Sequence, residues 1–125
     1  MDSAIADRVV EALARRSSQK AAEVAAYFTD MRECWVEAVR VLKQGGYAAI
    51  VIGNTTLLGV EILNAQVFVE QMLKLGLQWV STILRDIPSK ILPQTRDSRT
   101  GKFASVDEAD YKAYPREYII IMRKV

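Results

Sequence analysis

The sequence predicts an α/β fold. Three observations carry this: a long helical stripe ending near residue 45, an unbroken apolar run from Tyr47 to Ile52, and a helix candidate set between that run and the next strand candidate. The order helix, helix, strand, helix, strand, long connection, strand describes a βαβ unit followed by one more strand. With 125 residues, 50% of them hydrophobic, the chain has the mass for one domain over 1–125 rather than two.

The first element spans Asp2 to Arg16, where Ile5, Val9, Ala12 and Leu13 recur at helical spacing and Asp2 or Ser3 can cap the start. Ser17 and Ser18 interrupt it and can cap a second, longer helix. In that helix Ala21, Val24, Phe28, Met31, Trp35, Ala38 and Leu42 step by threes and fours, which predicts one buried face. It is expected to end at Gly45-Gly46, with Arg40 and Lys43 suited to the negative end of its dipole.

Tyr47 to Ile52 is too short for a helix between its glycines and reads as a central parallel strand covered on both faces. Gly53-Asn54-Thr55-Thr56 reads as a polar loop. A helix is expected from about Leu58 to Leu75, with Glu61, Asn64, Gln71 and Lys74 as its wetter positions and Gly76 closing it. A second strand runs from Leu77 to about Ile87 and stops at Pro88. The polar stretch 88–116 has no clear secondary structure, and a last strand follows at Glu117 to Arg123.

Composition removes several functions. Histidine is absent, which excludes imidazole as a general base and every Ser-His-Asp or Cys-His nucleophile. Cys34, the single cysteine, can form neither an intrachain disulfide nor a thiolate zinc site, reads as a small buried hydrophobe, and fits a reducing cytoplasm. No apolar run approaches the roughly 18 residues of a membrane span, and the polar start from Met1 to Arg8 is not a signal peptide, so no membrane partner is expected. Lysine and arginine number 17 against 15 acidic residues, a slight excess that permits nucleic-acid contact without demanding it.

At Arg40-Val41-Leu42-Lys43-Gln44-Gly45-Gly46, followed by Tyr47 to Ile52, the chain resembles class I S-adenosylmethionine-dependent methyltransferases, most like the C-terminal half of site-specific DNA methyltransferases. Tyr27 to Met31, Leu75-Gly76-Leu77 and Arg116 to Lys124 continue the likeness, which covers roughly Ala22 to Lys124. The resemblance implies a partial Rossmann-like sheet. Its three strands would be the last three of seven, the final one antiparallel between the other two. It also implies S-adenosylmethionine as cofactor of the complete enzyme and DNA or another nucleic acid as partner. The family's glycine-rich cofactor loop and its Asp/Asn-Pro-Pro-Tyr motif occur nowhere in the 125 residues, so no catalytic residue carries over and no cofactor is expected on this chain alone.

Open α/β sheets bind ligands outside the carboxyl ends of their parallel strands. The strands ending at Gly53-Asn54 and at Arg85 to Pro88, and the start of an antiparallel last strand, would share that edge. Gly53, Asn54 and Thr55 are therefore candidates for a substrate-side loop. The connection 88–116 would overhang the same side, and its Lys90, Arg96, Arg99 and Lys102 are candidates for phosphate contact, with Tyr111 and Tyr114 as candidate stacking groups. Trp79 alternates within a strand and reads as core. Three such apolar strands lack enough neighbours and cover, so a homo-oligomer or a partner chain completing the sheet is expected. Two functions fit: a segment of a DNA methyltransferase, or a non-catalytic interaction or nucleic-acid-binding module with the same half-fold.

Overall fold

Two serines start the two N-terminal helices in the computed structural model, which describes residues 1–87, 95–96, 103–104, 111–112 and 116–125. Ser3 accepts a hydrogen bond from the Ala6 N–H and caps α1 (Ala4–Ala14); Ser17 does the same for Lys20 and caps α2 (Ser18–Val41). Both caps lie where the sequence puts them. Along α2 the predicted stripe holds at Ala21, Phe28 and Trp35, which are buried, and at Val24, Met31 and Leu42, which are half-buried; Ala38 is exposed. Cys34 is exposed rather than buried, because it sits one residue, about 100° around the helix, from the buried Trp35.

α2 stops at Val41, four residues before the glycines. Its last carbonyls are met from the far end of the chain: the Lys124 ammonium donates to the Val39 oxygen at 2.7 Å and the Leu42 oxygen at 2.9 Å. A cation at a helix C-terminus satisfies orphan carbonyls and complements the dipole. Gly45 makes the following turn at φ 82°, and the backbone of Gly45 and Gly46 bonds that of Lys124.

β1 (Tyr47–Ile52) follows as predicted. The segment after it departs from the expected loop and long helix. Thr55–Leu57 (β2) and Val60–Ile62 (β3) pair as an antiparallel hairpin, and α3 is confined to Asn64–Lys74. The two-residue turn Leu58-Gly59 has positive φ at both positions, 51° and 77°, which is the primed geometry that matches strand twist. A leucine in that conformation gives no sequence warning. Asn64 and Gln71, expected at wetter positions, are buried on α3.

β4 (Gln78–Asp86) and β8 (Arg116–Arg123) complete the main sheet, in the order β1-β8-β4. β8 is antiparallel to both neighbours, so β1 and β4 run parallel with β8 between them, as the resemblance implies. β1 is therefore an edge strand in this sheet rather than the central one. Its unbroken apolar run predicts a buried centre, but the run records only that neither face of the strand is polar. Between β4 and β8, Thr95–Arg96 (β5), Phe103–Ala104 (β6) and Tyr111–Lys112 (β7) pair in the order β6-β5-β7, which gives the connection a small antiparallel sheet that its polar composition did not announce.

One face of the main sheet carries the core. Ile120 and Met122 of β8 are fully buried and pair with Ile50 and Ala48 of β1, on the side that meets the helices. Phe28 and Trp35 of α2 close on Phe68 of α3, with the Trp35 and Phe68 rings edge-on at 5.0 Å. At the centre lies Gln71, fully buried: its carbonyl accepts from the Trp35 indole at 3.0 Å, and its amide donates to the Phe28 and Met1 carbonyls at 2.8 and 3.0 Å. The opposite face is open among the described residues. Tyr47 and Val51 of β1 and Ile83 of β4 are each half or more exposed. Trp79, expected in the core, is 48% exposed and donates its indole N–H to Thr82. No helix among the described residues is long and apolar enough to cross a membrane.

Candidate substrate-side rim

The register brings three strand ends to one edge: Ile52 at the close of β1 lies opposite Tyr118, and Asp86 at the close of β4 lies opposite Arg116, the first residue of β8. This is the edge on which ligands of open α/β sheets bind.

At the β1 end the chain leaves the sheet through Gly53 and Asn54. The α3 start needs help here, because Leu63 occupies its N-cap and offers no side-chain acceptor. Asn54, eleven residues before Ala65, supplies it: its Oδ1 accepts from the Ala65 N–H at 2.9 Å, and its Nδ2 donates to the Gln66 side-chain Oε1 at 2.9 Å. The Asn64 amide in turn donates to the Gly53 carbonyl at 3.1 Å. Three amide side chains and one backbone turn thus lock the β1 end to the α3 start. Asn64 is 8% exposed, and its Oδ1 is a buried acceptor without a partner among the described residues. Such an atom costs roughly 1–3 kcal/mol when left unsatisfied.

Of the three loop candidates, the structure brings Gly53 and Asn54 together with Asn64 and Gln66, while Thr55 opens β2 opposite Ile62. Asn64 and Gln66 were missed because the helix was expected to begin near Leu58, which put both in its interior. An asparagine just ahead of an apolar helical run was the available signal. On the β4 side, Arg85 pairs with Glu117 and Arg116 with Asp86, the latter at 3.3 Å. These cross-strand pairs engage two of the rim's arginines with carboxylates. Lys90, Arg99, Lys102 and Tyr114 lie outside the described residues; Arg96 falls on β5 and Tyr111 on β7.

The rim offers amides and paired charges. At the start of α3 the Ala65 N–H is taken by Asn54, and a Cβ at Gly53 would meet the Arg116 oxygen at an ordinary 3.5 Å. Among the described residues, no group of three or more His, Cys, Asp or Glu is placed to hold a metal.

No family model and no curated protein matches the chain. Solved structures do. A Thermus thermophilus protein assigned as a DNA modification methylase aligns at 20% identity with a TM-score of 0.55 in its selenomethionine form, over 82% of this chain and 38% of that one. The same protein complexed with S-adenosyl-L-methionine aligns at 20% identity with a TM-score of 0.54 over the same shares. The chain has the fold of part of a methyltransferase. This partial methyltransferase fold spans well under half of the neighbour's length, and its β1-β8-β4 sheet is the architecture that the resemblance at Arg40 to Ile52 implied.

Proposed function

We propose that the chain is a segment or subunit of a methyltransferase that transfers a methyl group from S-adenosylmethionine to a base in DNA, supplying sheet, helical scaffold and a substrate-side rim. The observation that carries this reading is the structural likeness to a DNA methylase, with the ends of β1 and β4 and the start of β8 gathered on one edge. The cofactor is assigned to the part of the methyltransferase fold that has no counterpart here, since the 125 residues hold no glycine-rich cofactor loop. Gly53, Asn54 and Thr55 hold the rim on the substrate side. Lys90, Arg96, Arg99 and Lys102 meet the phosphates.

Two measurements test it. Titration calorimetry of S-adenosylmethionine into the 125-residue chain is expected to show no binding; tight binding would overturn the assignment of the cofactor to the missing part. The protein purified from its native host, with any polypeptide bound to it, is expected to transfer tritiated methyl groups from S-adenosylmethionine to unmethylated duplex DNA. No incorporation would leave the non-catalytic module as the better reading.

A further inference from the structure

The β2–β3 hairpin projects from the ligand edge of the sheet. Its base is held at the rim, where the Asn64 amide donates to the Gly53 carbonyl. α3 leads away from the rim, and Glu70 in its second half accepts from the Ser3 hydroxyl at 2.6 Å and the Ile5 N–H at 3.0 Å. From that anchor α1 packs along β3, and the chain reaches the hairpin tip at Arg16, whose guanidinium lies 3.2 Å from where a Cβ on Gly59 would stand. α1 therefore runs opposite to α3 and carries its C-terminus, with the hairpin, past the strand ends. The apex is costly as built. Leu58 holds φ 51°, which asparagine or glycine adopts more easily, and burial does not offset the strain: Leu58 is 48% exposed, while Leu57 and Val60 beside it pack against the core. Arg16 is exposed and has no ion pair among the described residues, whereas Arg15 next to it has Glu11. Thr56 and Glu61, opposite each other across the hairpin, are both exposed.

The ribbon's dimensions match one groove of a duplex. Strands of three residues extend about 10 Å, and the major groove of DNA, about 12 Å wide and about 8.5 Å deep, admits a two-stranded ribbon, whereas the minor groove at about 6 Å does not. We infer that the hairpin enters the major groove of duplex DNA, with Leu58 against a thymine methyl group, Glu61 accepting from a cytosine amino group and Arg16 on a flanking phosphate. Thymine methyls take apolar contacts and cytosine amino groups donate to carboxylates in that groove. A carboxylate is repelled at the phosphates, so Glu61 belongs at a base edge, and the unpaired Arg16 supplies the charge that meets the backbone. The inference rests on the DNA reading for the identity of the partner, and it adds a sequence-reading element to the phosphate contacts of the 88–116 connection. A second polypeptide seated on Leu58 is the competing occupant.

The test uses the protein purified from its native host, with any polypeptide bound to it, and fluorescein-labelled duplexes that the parent selects from a random pool. L58N keeps the turn and removes the apolar group; it is expected to weaken binding roughly fivefold by anisotropy while its urea midpoint does not fall, a combination that a merely structural leucine cannot give. Uracil in place of thymine is expected to weaken the parent by a similar factor and L58N no further. R16Q is expected to lower the slope of log affinity against log salt by about 0.9, R16K to restore it, and K74Q, at the far end of α3, to leave it unchanged. E61Q is expected to select sequences from the pool that lack the cytosine the parent selects. A parent without duplex affinity overturns the proposal, as does L58N binding like the parent, an R16Q slope that is unchanged or is matched by K74Q, or an unchanged selection by E61Q. A polypeptide lost with L58N at unaltered duplex affinity gives the apex to a protein partner and also overturns it. Transfer of tritiated methyl groups from S-adenosylmethionine to the same duplexes separates the two readings. The expected binding pattern without transfer upholds the hairpin and overturns the methyltransferase; transfer with unchanged binding by the variants does the reverse.

Discussion

Replacing Gln71 by leucine removes three hydrogen bonds and little volume, and it isolates what the buried amide contributes. The Trp35 indole N–H loses its acceptor inside the core, where Trp35 is 9% exposed, and the Phe28 and Met1 carbonyls each lose a donor. A buried donor left without a partner costs about 1–3 kcal/mol. The two carbonyls add a smaller loss, since the Phe28 carbonyl lies within α2 and the Met1 carbonyl is near the surface. The apolar side chain gained by the core offsets about 1 kcal/mol of the total. The net expectation is a destabilisation of about 1–2 kcal/mol by urea titration followed by circular dichroism, or a melting point lower by about 4–8 °C for a chain of this size. Trp35→Phe removes the stranded donor, so a double-mutant cycle is expected to return a coupling of about 1–2 kcal/mol between the two sites. A Gln71→Leu protein that melts within about 1 °C of the parent, or a cycle with no coupling, would refute the reasoning and reduce Gln71 to a filler of space.

Lys124→Met strands the last carbonyls of α2 and is expected to cost about 1 kcal/mol, with faster amide exchange confined to that last turn as the local check. Leu58→Asn relieves a left-handed leucine at φ 51° and is expected to raise stability by about 1 kcal/mol, read as a higher urea midpoint; an unchanged midpoint would mean the hairpin turn stores no strain. The hydrogen bond from Arg32 holds the Asp2 carboxyl below the usual carboxylate range, so its contribution is present above the unfolded pKa and disappears as pH falls through the lowered folded value. Asp2→Asn is therefore expected to lower the urea midpoint at neutral pH and to match the parent near pH 2; a difference that persists in acid would assign the effect to something other than the ion pair. Replacing Lys90, Arg96, Arg99 and Lys102 together by alanine in the complete enzyme is expected to flatten the slope of log affinity for duplex DNA against log salt by about 0.9 per lost phosphate contact, without loss of folding.

The sequence by itself determined the caps at Ser3 and Ser17, the buried stripe through Ala21, Phe28 and Trp35, the bounds of β1, and to within a residue or two those of β4 and β8. These follow from periodicity and capping, which act over a few residues and leave a local trace. Tertiary structure decided the rest. A hairpin stands where a helix was expected because the Leu58-Gly59 turn conceals its geometry behind a residue that rarely adopts it. Polarity misplaced Asn64 and Gln71, whose partners come from Gly53, Trp35, Phe28 and Met1, far along the chain, and a buried amide that is hydrogen-bonded reads like a wet one. Lys124 stops α2 from 82 residues away. The rim assembles from Asn54 and the start of α3 only after the hairpin brings them together. Whether an apolar strand lies at a centre or an edge depends on which strand pairs beside it, and no local pattern in Tyr47 to Ile52 records that choice.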